Sequence, residues 1–220
     1  MLTMRLSEYI GKYWAGAEVM YAVIIAMTFT SALRGHIAIE EMYQTVVYSA
    51  LFCCMAWGIA DGSFYAWERT YITRSENKII EYSKSDENKE VAISIISEEL
   101  DDTILRNINE KNRKELSQQF VKYLAEAGIE RKPSGREALN IILATFLAST
   151  VAGIVVVFPF FFIDNLNKAL NVSNILGISL LFVIGYFRAF DRKLSAKMIM
   201  GSSTAVIGII IAVITTLMGG

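Results

Sequence analysis

Histidine occurs once in these 220 residues, cysteine and proline twice each, and 21 basic side chains against 22 acidic ones leave a formal charge of −1. One histidine supplies no His pair for zinc, and the chain has neither a glycine-rich phosphate loop nor a nucleophile elbow, so no enzymatic activity is expected. With no acidic tail and no basic stripe, nucleic acid is not an expected partner. Cys53 and Cys54 are adjacent, which makes an ordinary disulfide between them geometrically poor. They read as small apolar packing residues, with soft-metal ligation as the competing reading.

What the chain has in quantity is apolar: 54% of its residues are hydrophobic, and they are gathered into long runs. Five windows, Tyr13 to Leu33, Tyr43 to Ala66, Leu139 to Ile163, Val172 to Phe187 and Met198 to Met218, approach or exceed the length that crosses a hydrocarbon core as helix. The fourth is the shortest. The expected fold is therefore all-α, a polytopic membrane protein of five transmembrane helices. Residues 1–66 hold the first two, residues 139–220 hold the last three, and residues 67–138 form a helical cytoplasmic insert. The first apolar run has no convincing small-residue cleavage site and four further spans follow, so it is expected to be retained rather than removed as a signal peptide.

Charge sets the expected orientation. With the N-terminus in the cytoplasm, nineteen of the 21 basic residues fall on that side, and only Arg34 and Lys168 lie across the membrane. The long loop weighs less in this rule than charges near the span ends, but the direction is the same: N-terminus cytoplasmic, C-terminus outside.

The insert is too long for a simple connection. Val91, Ile95, Ile96 and Leu100 recur at helical spacing over Lys89 to Leu100, as do Ile104, Leu105, Ile108, Leu116, Phe120, Tyr123 and Leu124 over Asp101 to Ala127. Asp101 and Asp102 are expected to cap the second helix, and Gly128 with Pro133 to end it. Glu98, Glu99, Asp101, Asp102, Glu110 and Glu115 form a collection of hard oxygen ligands suited to a divalent cation. The competing reading is a solvated face, because Lys and Arg are interleaved with them. The two apolar stripes are expected to pack on one another, on the membrane-facing base or on a second copy of the chain.

Two ionisable residues, Glu18 and Asp61, stand inside spans, where charge is costly. The first span runs outward and the second inward, which places both carboxylates near the cytoplasmic side at comparable depth. Two carboxylates in one low-dielectric site must share a proton, take a cation or find a Lys or Arg. Met55 and Cys54, with Met20, Met27, Thr28, Thr30 and Ser31, lie one or two turns deeper. Carboxylates followed by sulfur suit a borderline or soft-accepting divalent metal better than magnesium, although methionine in membrane helices is commonly a packing residue. His36, beside Glu40 and Glu41, reads as an exposed loop residue. Gly201, Ala205, Gly208 and Ala212, and likewise Ala144, Ala148 and Gly153, offer small-residue faces for close helix approach. Pro159 is expected to kink or end its helix around Phe158, and Asn171, Ser173 and Asn174 to cap the start of the fourth span.

Five spans with a helical insert after the second resemble the vacuolar iron transporter family. Met55-Ala-Trp-Gly58-Ile-Ala-Asp61-Gly62 is similar to its Met-Ala-x-Gly segment, and to the Trp-Gly-x-x-Asp run of the prokaryotic branch. Pro159-Phe160 closes the third span as in the family, and Val172-Ser173-Asn174, Leu181-Phe182 and Gly185-Tyr186 in the fourth are similar to that branch. Three features differ. Gly16-Ala17-Glu18-Val19-Met20 stands where better-studied members have Gly-Ala-x-Asp-Gly, Ile59 stands where they have Glu, and the insert has no methionine. The resemblance implies a homodimer that moves Fe²⁺ or Mn²⁺ out of the cytoplasm against protons. It implies a membrane site of Glu18, Asp61 and Met55, a loading site of Glu98, Glu99 and Asp102, and no permanently bound cofactor. The expected location is a prokaryotic plasma membrane rather than an organelle, a choice no targeting element dictates. A reading from another class keeps the five-helix scaffold without transport and uses the amphipathic insert to dock a cytoplasmic protein.

Overall fold

The computed structural model describes residues 12–33, 43–189 and 193–218, with residues 12–15 and 218 described by backbone alone. The readings placed on His36, Glu40 and Glu41, and the charges of Arg5, Arg34 and Arg192, lie outside the described residues. Among the described residues seven α-helices follow in order: α1 (Lys12–Ala32), α2 (Tyr43–Lys84), α3 (Lys89–Asp101), α4 (Glu110–Ala127), α5 (Gly135–Val157), α6 (Leu166–Arg188) and α7 (Leu194–Met218). No strand occurs among the described residues. Helices α2, α5, α6 and α7 are long and apolar enough to cross a membrane, while in α1 the apolar stretch Gly16–Ala32 is shorter. The chain divides into two compact units, residues Met1–Ala66 with Leu139–Gly220 and residues Trp67–Ala138.

In the first unit the helices meet on small residues. Ala22, Val23, Ala26 and Met27 of α1 form one buried cluster with Cys54, Ala152, Val156 and Leu181. A second cluster gathers Leu33, Val47, Ala50, Val157, Phe160, Ala169 and Leu170. A Cβ at Gly177 would stand 2.5 Å from the Met27 sulfur, and one at Gly208 would stand 2.6 Å from Leu181. Lipid tails are as apolar as these side chains, so close packing and hydrogen bonds between helices hold such a unit together. The Thr204 hydroxyl donates to Leu181 O at 2.8 Å, and the Ser173 hydroxyl to Val156 O at 2.7 Å. Only 17% of the apolar window of α7 is buried, which leaves most of its surface for lipid or another chain.

Several expected boundaries shift. Helix α5 ends at Val157 as Pro159 leads one to expect, with Pro159 in a 3₁₀ turn, Phe158–Phe161, because its ring removes the donor that the α-ladder needs; the shifts lie elsewhere. Helix α6 begins at Leu166, well before Val172, with the Asn165 side chain accepting from Lys168 N at 3.0 Å. Asn171, Ser173 and Asn174 are therefore inside the helix rather than its caps. Ser173 is fully buried, and Asn174 Oδ1 accepts from the Ser31 hydroxyl at 3.1 Å.

Helix α2 does not end at Ala66 but continues to Lys84. No glycine or proline interrupts residues 67–84, and Thr73, Ile79, Ile80 and Ser83 recur along one buried face. In the second unit Ile79 joins Ala92, Ile93, Ile96 and Val121 in a core flanked by Tyr82, Ile95, Leu100 and Leu124. The stripes expected from side-chain size are rotated in part: Val91 is 46% exposed, Ile104 82%, Phe120 45% and Tyr123 67%. The interior instead takes the small Ala92 and Ser117, since closely approaching helices leave little room at the contact.

The helix expected from Asp101 is also broken. Asp101 ends α3 and Asp102 caps its C-terminus. Thr103 then turns the chain, its hydroxyl donating to Leu100 O at 2.8 Å and accepting from Leu105 N at 3.1 Å. The N-cap of α4 is Asn109, whose Oδ1 accepts from Asn112 N at 2.8 Å, and Gly128 closes the helix at its other end.

Candidate functional site

The candidate site is built from one face of α2 and one position on α1. Trp57, Asp61 and Tyr65 are spaced by four residues, so they line up along a single face of α2. That face lies beside a glycine seam. A Cβ at Gly58 would be 2.8 Å from the Phe146 Cα, and one at Gly62 would be 2.7 Å from the Ile142 Cα, so α2 and α5 approach backbone to backbone. One turn deeper, a Cβ at Gly153 would meet Cys54 at 2.9 Å. Small residues at three successive levels hold the rotation of α2 and hence the direction of its Asp61 face.

Helix α1 runs antiparallel to α2 and is tied to it on this side. The Cys54 thiol donates to Ala22 O at 3.3 Å, and the rings of Tyr21 and Trp57 meet edge to face with centroids 6.0 Å apart. Glu18, one turn before Ala22, is fully buried. The Tyr65 hydroxyl donates to Glu18 Oε1 at 2.7 Å, while Oε2 has no hydrogen-bond partner. Asp61 and Trp57 lie close enough to the same carboxylate to act on it electrostatically. Two neighbouring carboxylates have no donor between them unless a proton or a cation is supplied. A buried oxygen without a partner is costly, which makes Oε2 the atom most in need of one.

The other residues singled out from the sequence fall elsewhere. Met55 is half-buried and six positions before Asp61, which turns it to a different side of α2. Met27 is fully buried in the packing core, and the Met20 sulfur accepts from Arg188 Nη1 at 3.5 Å. Thr28 and Thr30 return their hydroxyls to the backbone of α1. In the second unit, Glu98, Glu99 and Asp102 are exposed around the C-terminus of α3, and Asp101 pairs with Arg113 at 2.7 Å. Among the described residues no group of three or more His, Cys, Asp or Glu side chains is gathered closely enough to hold a metal ion. The structure thus brings Glu18 and Asp61 together and turns Met55 to another side of α2.

Tyr65 and Trp57 were not singled out as site residues from sequence, although their four-residue spacing about Asp61 signals a shared face. Gly58-x-x-x-Gly62 likewise signals the close approach of α2 to another helix.

The model of the VIT family fits residues 66–220. No curated protein matches the chain. The matched stretch takes in the end of α2, the second unit with Glu98, Glu99 and Asp102, and the last three long helices. Glu18, Met55 and Asp61 precede it.

Proposed function

The chain belongs to the VIT family, a family of membrane metal-ion transporters, and from that premise we propose that this integral, multi-pass protein carries Fe²⁺ or Mn²⁺ out of the cytoplasm in exchange for protons. The observation that carries the reading is the pair of carboxylates in the first unit: a fully buried Glu18 with an unpartnered oxygen beside Asp61. A divalent cation neutralises both carboxylates, and so do two protons. Mutually exclusive occupancy by cation and protons is what coupling by alternating access requires.

In this reading α1 is the fifth span, the N-terminus and the insert lie in the cytoplasm, and the C-terminus lies outside, the arrangement favoured by the basic residues. The prokaryotic branch and a prokaryotic plasma membrane go with it. Two carboxylates complete no transition-metal shell alone, so water, backbone or a second copy of the chain supplies the remaining positions, and Met55 is the candidate sulfur donor. A homodimer fits this need. Glu98, Glu99 and Asp102 form the loading site. They crowd the C-terminus of α3, where the negative end of the helix dipole adds to their own charge and favours a cation. The metal is cargo, and no resident cofactor is proposed.

The test is flux into liposomes holding the purified protein, with Fe²⁺, Mn²⁺, Co²⁺ and Zn²⁺ offered in turn across a pH gradient. Metal uptake accompanied by a change of lumenal pH supports the proposal. Metal uptake with no movement of protons removes the coupling, and no uptake of any metal by correctly inserted protein removes the transport reading.

A further inference from the structure

The hydroxyl of Tyr65 carries an inference that rests on the transport reading and goes beyond it. Glu18 offers two oxygens, and they are not equivalent: Oε1 receives the Tyr65 hydroxyl at 2.7 Å, and Oε2 has no partner. Glu18 is fully buried, so no bulk water competes for either atom. The donor that occupies Oε1 also fixes the plane of the carboxylate, because Tyr65 and Glu18 stand on separate helices held together by the Cys54 thiol and by the Tyr21 and Trp57 rings.

We infer that Tyr65 is a specificity-determining positioning residue, which holds Glu18 to coordination through one oxygen and thereby selects small transition-metal cations against Ca²⁺. Calcium takes six to eight oxygens at about 2.3–2.6 Å and is served well by a carboxylate that closes on it with both oxygens. A smaller cation in a four- to six-coordinate shell needs only one oxygen from each carboxylate. A hydrogen bond into Oε1 takes one of its two lone pairs and weakens that oxygen as a metal donor, which leaves the second mode intact and makes the first less favourable. The same bond orients Glu18, as outer-shell donors orient metal ligands generally. Removing the hydroxyl while keeping the ring therefore does more than weaken the site: it makes a chelating Glu18 available and changes the ranking of cations.

The experiment is Mn²⁺ uptake by the full-length protein in liposomes with Ca²⁺ as competitor, comparing wild type with Tyr65→Phe. The readout is the ratio of the Ca²⁺ inhibition constant to the Mn²⁺ half-saturation constant, which a general loss of packing would not shift in one direction. A hydrogen bond to a charged group has the strength to change that ratio about tenfold, so Tyr65→Phe should become about ten times more sensitive to Ca²⁺ relative to Mn²⁺. An unchanged ratio, with Mn²⁺ carried by both proteins, overturns the role of Tyr65 and leaves transport standing. No Mn²⁺ uptake by wild type overturns both.

A second measurement needs no variant at Tyr65. The infrared difference spectrum of wild type with and without Mn²⁺, assigned by its loss in Glu18→Gln, should show the wide splitting of carboxylate stretches that marks one-oxygen coordination. A narrow splitting, the mark of chelation, overturns the inference even where Tyr65→Phe fails to assemble.

Discussion

Replacing Gly62 by alanine isolates the contact that holds the Asp61 face in place. In most helices this substitution is favourable, since alanine gains up to about 1 kcal/mol over glycine in a helix interior. Here the added Cβ would stand 2.7 Å from the Ile142 Cα, 3.2 Å from Ile142 O and 3.2 Å from the Thr145 Cβ. The nearest atom is backbone, which cannot rotate away, so α2 and α5 must separate by several tenths of an ångström along a seam that Gly58 shares. Overpacking of this kind costs about 1–3 kcal/mol, which outweighs the propensity gain and leaves the variant less stable by about 1–2 kcal/mol. Gly135, at the first position of α5, has nothing within 4 Å of a built Cβ and serves as the control. The assay is unfolding of the purified protein in mixed micelles by increasing SDS, read by far-UV circular dichroism. Gly62→Ala should unfold at lower SDS than wild type, and Gly135→Ala should not. A Gly62→Ala protein as stable as wild type would refute the backbone-to-backbone seam, and with it the account of what aims Asp61.

In the second unit, Ile96→Ala should cost about 2–4 kcal/mol, because Ile96 belongs to the buried core, while Val91→Ala on the exposed side of the same helix should stay within about 0.5 kcal/mol. Limited proteolysis of the full chain, followed at the connections around α3 and α4, distinguishes the two. Asn109→Ala removes the side chain that caps α4 and should weaken its first turn by about 1 kcal/mol, seen as faster amide exchange over residues 110–113 with the rest of the helix unchanged. Equal exchange in both proteins would remove the cap from the account.

The parts of the fold legible from sequence were those in which composition alone is decisive. Residues 139–157 and 198–218 form apolar stretches long enough to cross a bilayer, and no local detail alters that. Glu18 and Asp61 stood out because charge is rare in such runs, and counting turns from opposite ends of antiparallel helices was enough to suggest equal depth. Helix ends were less legible, since they depend on which side chain reaches a free amide. Asn165 and Asn109 do so, whereas Asn171 lies inside α6, and Asp101 and Asp102, equally suitable by type, stand at the end of α3. The extension of α2 to Lys84 is hard to see in sequence because residues 67–84 are largely polar, and the apolar Ile79 gains its cover only when α3 and α4 exist. The insert core was read on the wrong side in places for the opposite reason. Large side chains such as Ile104 and Tyr123 carry the strongest apolar signal in the sequence, while the tight interior requires Ala92 and Ser117. Tyr65 was overlooked because its significance lies in a bond to a residue 47 positions away.

In the proposed mechanism the Glu18 and Asp61 carboxylates carry the metal across the membrane. Its most direct test is Mn²⁺ flux through Asp61→Asn, reconstituted beside wild type at matched insertion. Asparagine keeps the size of the side chain and removes only its charge, so the account predicts that wild type transports and Asp61→Asn does not. Equal Mn²⁺ flux through the two proteins would contradict it.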